Sequence, residues 1–300
     1  MVGRFLNYVE IKTKITSTFA FLYTIAYMFY SDQPINWKLT GIFFAAMFLF
    51  DLTTTAINNY IDTKTNTQTL QFKRGTALAL ILVMLAVSVL LGLYLVALTD
   101  IIVLLLGGLC FLCGILYTYG PVPISRQPMG ELLSGIFYGF FIPFILLYVN
   151  MPKGTFLTLE WDLKTISIDF QVFPLFTAAL LSLIPICTTA NIMLANNICD
   201  LEQDVLVKRH TLPYYLGIRK SLYLFAALYY GTYLAIGIMT VFGILSPICL
   251  VSLISLMPVQ KNINEFFRTQ DKGSTFMTSI KNYVVIMGTN TALIFLSGLV

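Results

Sequence analysis

The chain reads as an all-α polytopic membrane protein, a bundle of nine transmembrane helices in two pseudo-repeated halves. Three observations predict the architecture: an apolar composition, nine long apolar runs, and a polar motif that occurs twice at equivalent places. Of the 300 residues, 58% are hydrophobic and 11% charged, and the mean hydropathy is +0.83. That is too apolar for a soluble domain of this length.

The runs extend from Ile15 to Tyr30, Leu39 to Ile57, Thr76 to Leu98, Ile101 to Tyr117, Leu132 to Val149, Val172 to Ala195, Ser221 to Phe242, Ile244 to Met257, and Tyr283 to Val300. A helix crossing a bilayer needs roughly 20 residues. The eighth run is short and contains Pro247. Strand-like alternation is read as absent, which removes a membrane barrel from consideration. One membrane-embedded domain over residues 1–300 is expected.

Basic residues orient the bundle. With the N-terminus in the cytoplasm, all Lys and Arg except Lys38, Lys153 and Lys164 fall on the inner side, as the positive-inside rule requires. The predicted localisation is a bacterial cell membrane, with several crossings and the polar motifs at the cytoplasmic face. No cleavable signal peptide is evident, because Arg4 to Lys14 is polar and no small-residue cleavage site follows the first apolar run. Basic loops account for the net charge of +4 without any nucleic acid partner.

Cysteine and histidine add little. Cys110 and Cys113 form a C-x-x-C inside an apolar run with no second ligand pair, so they read as small hydrophobes. His210 is the only histidine, which leaves no basis for a histidine metal site or a Ser-His-Asp triad.

The repeated motif carries the chemistry. Residues 58–66 and 196–204 both read N-N-x-x-D-x-x-x-(N/D), each at the end of a long apolar run, ahead of Lys73-Arg74 and Lys208-Arg209 respectively. On a helix the first, fifth and ninth positions share a face, drifting about 40° per step. The faces are Asn58, Asp62 and Asn66 in one copy and Asn196, Asp200 and Asp204 in the other. Such oxygens suit hard divalent cations and their phosphate partners. The alternative is that they cap helix ends and meet water; recurrence on one predicted membrane side favours ligation. Asp51 lies nearly two turns before Asn58 and on its face, where either a substrate or metal role or an interhelical hydrogen bond is open.

These motifs resemble those of the UbiA superfamily of membrane prenyltransferases, whose two aspartate-rich segments end helices two and six of a nine-helix bundle. The second motif, with Lys208-Arg209 and Thr211 to Gly217, is most similar to the menaquinone-pathway branch, the 1,4-dihydroxy-2-naphthoate polyprenyltransferases. Tyr117 to Ser125, then Gly130-Glu131-Leu132, resemble that branch's loop after helix four.

The resemblance implies a fold, a cofactor and a reaction. Mg2+ held by Asn58, Asp62, Asn66, Asn196, Asp200 and Asp204 would bind the diphosphate of an allylic polyprenyl diphosphate. Lys73, Arg74, Arg126, Lys208 and Arg209 would meet the remaining phosphate charge, with Asp51 as a further substrate contact. Tyr60, Tyr117, Tyr119 and Phe137 would face the allylic cation. An aromatic acid would be the acceptor, and membrane lipid the surroundings of the isoprenoid tail. The chain departs from the family at Asn59 and Asn66, where carboxylates are usual. A secondary transporter, a non-catalytic isoprenoid- or quinone-binding paralogue, and an enzyme for another phenolic acceptor remain open at this point.

Overall fold

A computed structural model describes residues 2–63, 69–120, 123–162 and 164–300. The chain divides into two compact units, Met1–Thr18 with Asn36–Ile124, and Phe19–Ile35 with Ser125–Val300. The boundary after residue 124 separates the two motifs, but most of the first long helix packs with the second unit.

In the first unit, α1 (Val2–Tyr8) and a 3-10 turn (Ile11–Lys14) lead into α2 (Ile15–Tyr30); α3 (Trp37–Asp62), α4 (Arg74–Leu98) and α5 (Ile101–Thr118) follow. Asn36 starts α3 by accepting from the amides of Lys38 and Leu39 at 3.1 and 3.2 Å. Asp100 caps α5 in the same way through Ile102 and Val103. Each side chain satisfies amides that a helix start leaves without partners. Leu52 and Ala56 of α3 pack on Ala77, Ile81 and Met84 of α4 around the buried Tyr8. The Tyr8 hydroxyl donates to the Ala56 carbonyl at 3.1 Å, which ties α1 to the cluster.

The second unit begins with the rest of α2, whose Phe19 and Phe29 rings meet Tyr283 and Phe295. Next come α6 (Gly130–Ile136), a π-helical turn (Phe137–Phe141) and α7 (Ile142–Asn150), which together form one apolar span. Strands β1 (Leu157–Trp161) and β2 (Ile166–Phe170) pair antiparallel, with Leu157 opposite Phe170. The remainder is α8 (Val172–Cys199), α9 (Leu201–Leu206), α10 (Leu212–Leu216), α11 (Ile218–Val241), a 3-10 stretch (Pro247–Ser255), α12 (Leu256–Arg268) and α13 (Met277–Ser297).

One crossing orders this unit. Gly139, inside the π turn, lies against Pro185 and Ile186 of α8, and a Cβ there would sit 2.2 Å from the Ile186 nitrogen. Only glycine allows this backbone-on-backbone approach. The extra residue of the π turn and the amide missing at Pro185 occur where the two helices cross. Since α6 carries Glu131 and α8 carries the second motif, the crossing sets their relative positions.

Among the described residues, five helices are long and apolar enough to cross a bilayer: Trp37–Asp62, Arg74–Leu98, Gly130–Asn150, Val172–Cys199 and Ile218–Val241. The helices at Ile15–Tyr30, Ile101–Thr118 and Met277–Ser297 fall near predicted runs but do not meet that standard.

Two expectations are corrected. The eighth run is not a helix ending at Met257; Ser246 accepts from the Ile248 amide to start a 3-10 stretch, and α12 then continues to Arg268. Its polar residues disguised a helix whose Val259, Ile263 and Phe266 are buried with helical spacing. The expected absence of strand alternation is also wrong, because Leu157 to Trp161 and Ile166 to Phe170 alternate apolar with polar and pair as a hairpin.

Candidate functional site

The first motif occupies the last turns of α3. The side-chain oxygen of Asn58 is buried and has no hydrogen-bond partner among the described residues, whereas Asp62 at the helix end is exposed. Asn66, the expected ninth-position ligand, lies outside the described residues. Asn59 serves a different purpose: its amide nitrogen donates to the Tyr8 carbonyl at 2.9 Å and to Glu10 Oε1 at 3.2 Å. A carboxylate cannot donate, so the structure gives a physical reason for asparagine at this departure from the family pattern. Asn59→Asp is expected to lower stability by about 1–2 kcal/mol without strengthening metal binding; denaturant unfolding and a magnesium titration check both parts.

Arg74, anticipated as a phosphate contact, closes α3. Its guanidinium donates to the carbonyls of Tyr60 and Thr63 at 3.1 and 3.0 Å and lies 5.3 Å from the centre of the Tyr60 ring. A cation is favourable at a helix C-terminus. Lys73 beside it is exposed. Tyr117 ends α5 half-buried, and Tyr119 just beyond is 65% exposed.

Asp51 sits deeper and is enclosed. Lys14 Nζ donates to Asp51 Oδ1 at 2.9 Å, to the Asp51 carbonyl at 3.0 Å and to Thr55 Oγ1 at 2.5 Å. Ser17 Oγ donates to the other carboxylate oxygen at 2.6 Å. Lys14 and Asp51 are 4% and 5% exposed. Both Asp51 oxygens are thus engaged in tying α3 to the start of α2, the interhelical arrangement weighed above.

The second motif lies in the other unit. The Asp200 amide donates to the Asn196 carbonyl and the Asp204 amide to the Asp200 carbonyl, at 3.0 and 2.8 Å. The helical ladder therefore runs through the joint between α8 and α9, and the first, fifth and ninth positions keep their spacing. Asn196 Nδ2 donates to Asp200 Oδ2 at 3.2 Å. The same Asp200 oxygen receives Lys272 Nζ at 2.5 Å, and Lys272 also donates to Asn196 Oδ1.

Asp204 is buried between charges. Its Oδ1 is 3.6 Å from the Arg209 guanidinium, while Oδ2 has no hydrogen-bond partner among the described residues. Burial pushes its carboxyl above the usual carboxylate range, against the pull of Arg209. Lys208 adopts a left-handed φ of 57°, ending α9 as such residues commonly do. The next amide, that of Arg209, donates back to the Asp204 carbonyl at 2.8 Å. The guanidinium of Arg209 also donates to the Ser125 carbonyl at 2.8 Å. The carbonyl of Arg126 accepts from the His210 amide at 3.2 Å.

Glu131 belongs to this cluster and was not among the predicted site residues. It is 4% exposed, accepts from Asn197 Nδ2 at 2.8 Å through Oε1, and has no partner at Oε2 among the described residues. Phe137 stacks on Phe141 at 5.1 Å, one to two turns further along the same span. Lys272 was likewise missed as a contact of the motif: it is 72 residues from Asp200 and carries no local signal.

The oxygens of each motif suit a hard cation. Among the described residues, Asn58 Oδ1 in the first unit has no hydrogen-bond partner, nor does Asp204 Oδ2 in the second, where the Asn196 and Asp200 oxygens hold the Lys272 ammonium. All are amide or carboxylate oxygens, the donors magnesium prefers. Among the described residues no three Asp, Glu, His or Cys side chains gather into a metal-holding group.

An apolar helical chain with oxygen-rich motifs at helix ends has the makings of a membrane-embedded metal-dependent enzyme. The UbiA prenyltransferase family profile matches residues 19–279; the chain belongs to this family and is an integral membrane prenyltransferase. It is 29% identical over 251 residues to the 1,4-dihydroxy-2-naphthoate octaprenyltransferase of Bacillus subtilis (strain 168), covering 79% of this chain and 73% of that one. A UbiA homolog from Aeropyrum pernix K1 shares the fold, with a TM-score of 0.67 at 16% identity over 92% of this chain and 96% of that one. So does a UbiA homolog from Archaeoglobus fulgidus bound to GPP and Mg2+, with a TM-score of 0.61 at 11% identity over 97% and 99%.

Proposed function

We propose that this enzyme transfers a polyprenyl group from an allylic polyprenyl diphosphate to 1,4-dihydroxy-2-naphthoate, with loss of the carboxyl group, giving demethylmenaquinol, the reduced form of demethylmenaquinone. The reading is carried by the second motif, whose Asn196 and Asp200 oxygens hold the Lys272 ammonium and whose Asp204 Oδ2 has no hydrogen-bond partner among the described residues. The Bacillus subtilis relative supports the choice of acceptor, and the GPP and Mg2+ bound to the Archaeoglobus fulgidus homolog support the donor and the metal.

Asn58, Asp62, Asn66, Asn196, Asp200 and Asp204 are assigned to hold magnesium. When bound, magnesium neutralises charge on the departing diphosphate. Lys73, Arg126, Lys208 and Arg209 meet the remaining phosphate charge as hydrogen-bonding cations, and Arg74 keeps the first motif's helix end in shape. Breaking the carbon–oxygen bond leaves its electron pair on the diphosphate and a cation on the allyl group. Tyr60, Tyr117, Tyr119 and Phe137 present aromatic faces to that cation and exclude water. The naphthoate ring supplies the pair for the new carbon–carbon bond, and the departing carboxyl group returns its bonding pair to the ring as carbon dioxide.

The reading places nine crossings of a bacterial cell membrane in one prenyltransferase domain, with the N-terminus and both motifs on the cytoplasmic side. Lipid around the bundle accepts the isoprenoid tail. The test is incubation of purified protein with magnesium, a panel of aromatic acids and prenyl diphosphates of several lengths, with products identified by mass. A prenylated naphthoquinol lacking the carboxyl mass is expected; a product formed only with another phenolic acid would replace the acceptor.

A further inference from the structure

We propose that Lys272 is a tethered counter-ion of the second motif, which makes metal binding there depend on the arrival of the diphosphate. The proposal rests on the assignment of Asn196 and Asp200 as metal ligands.

Lys272 lies in the connection between α12 and α13, and that connection is built to present it. Asp271 Oδ2 accepts from the amide and hydroxyl of Ser274 at 2.8 and 2.7 Å. The Asp271 carbonyl accepts from the amides of Thr275 and Phe276, each at 3.0 Å. The Asp271 amide donates to Thr275 Oγ1 at 2.8 Å. The residue before Lys272 is therefore held on several sides. The Lys272 ammonium then meets Asp200 Oδ2, Asn196 Oδ1 and the face of Phe276, whose ring centre is 5.0 Å away. One carboxylate, one amide oxygen and one aromatic face make a fitted seat for a single positive charge.

Magnesium binds oxygen at about 2.0–2.1 Å, so it cannot share these two oxygens with an ammonium held against them. For metal alone, entry requires displacing Lys272 into water and leaving two positive charges close together. For metal accompanied by a diphosphate, the displaced ammonium gains phosphate oxygens as new partners. Lys272 is 45% exposed, so it has room to swing away without unfolding its surroundings. The result is positive coupling between metal and diphosphate, and by linkage each strengthens the binding of the other equally.

The test measures Mn2+ binding by electron paramagnetic resonance of the free ion, using the full-length purified protein with and without a prenyl thiodiphosphate that resists cleavage. Wild type, Lys272→Met, Lys272→Arg and Asp200→Asn are compared. Without the thiodiphosphate, Lys272→Met is expected to bind Mn2+ about 10-fold more tightly than wild type, within the range usual for coupling between sites. Lys272→Arg, which keeps the charge, stays near wild type. The enhancement by thiodiphosphate shrinks by the same factor in Lys272→Met. A lysine that merely braced the loop would weaken metal binding when removed. Equal or weaker Mn2+ binding by Lys272→Met, with binding still lost in Asp200→Asn, overturns the counter-ion proposal alone. Mn2+ binding unaffected by Asp200→Asn, with or without thiodiphosphate, overturns the ligand assignment and the proposal with it.

Discussion

Asp200→Ala is expected to cut magnesium-dependent prenyl transfer by at least about 10²-fold while the helices remain folded. Losing even a residue that only supports a metal ligand costs 10–100-fold in affinity or activity, and Asp200 is assigned as a ligand itself. Its carboxylate is the centre of the second motif, taking Asn196 Nδ2 and Lys272 Nζ on one oxygen. Alanine removes the negative charge and releases both partners. The fold does not depend on that side chain, because the ladder through the joint is made by backbone groups at 3.0 and 2.8 Å. Asp62→Ala is expected to act alike, since Asp62 is the first motif's only carboxylate. Turnover at stepped magnesium concentrations, with circular dichroism in detergent, separates chemistry from folding. A near-normal rate at low magnesium in either variant would remove the metal assignment.

Lys14→Met is expected to destabilise the protein by about 3–5 kcal/mol, the usual consequence of removing one partner of a buried ion pair. Asp51 would keep its charge at 5% exposure without the ammonium that balances it, while the Ser17 hydroxyl stays on its second oxygen. Asp51→Leu strands Lys14 in the same way. The double variant Lys14→Met/Asp51→Leu is expected to recover much of the loss, because an apolar pair of similar volume often matches or exceeds a buried salt bridge. A double-mutant cycle by denaturant unfolding gives the coupling directly. If the single losses simply added in the double variant, the pair would not be acting as a unit.

Much of this architecture could be read from the residues because its cause is local. Apolar runs of bilayer length mark themselves, and Ile15–Tyr30 is a helix with the predicted bounds. The repeated N-N-x-x-D pattern located both helix ends because each copy is contiguous. Period-two alternation in residues 157–161 and 166–170 is equally local, but each stretch is short beside the apolar runs of bilayer length. The features that escaped are contacts between distant parts of the chain. Lys272 and Asn196 are 76 residues apart, Glu131 and Asn197 are 66 apart, and nothing near either position announces the pairing. Asn59 is the most instructive, since its spacing suggests a weakened ligand while its geometry shows a donor to the Tyr8 carbonyl. Spacing says which residues share a face; the direction of a hydrogen bond depends on what the fold brings to that face.

The activity proposed is metal-dependent transfer of a prenyl group to an aromatic acid. Purified protein in lipid vesicles, given 1,4-dihydroxy-2-naphthoate and a polyprenyl diphosphate, tests it through the release of inorganic diphosphate counted against prenylated product. One diphosphate per product is expected with Mg2+, and neither once EDTA is added. Product formation that persists in EDTA, or no diphosphate release and no product with Mg2+ present, would contradict it.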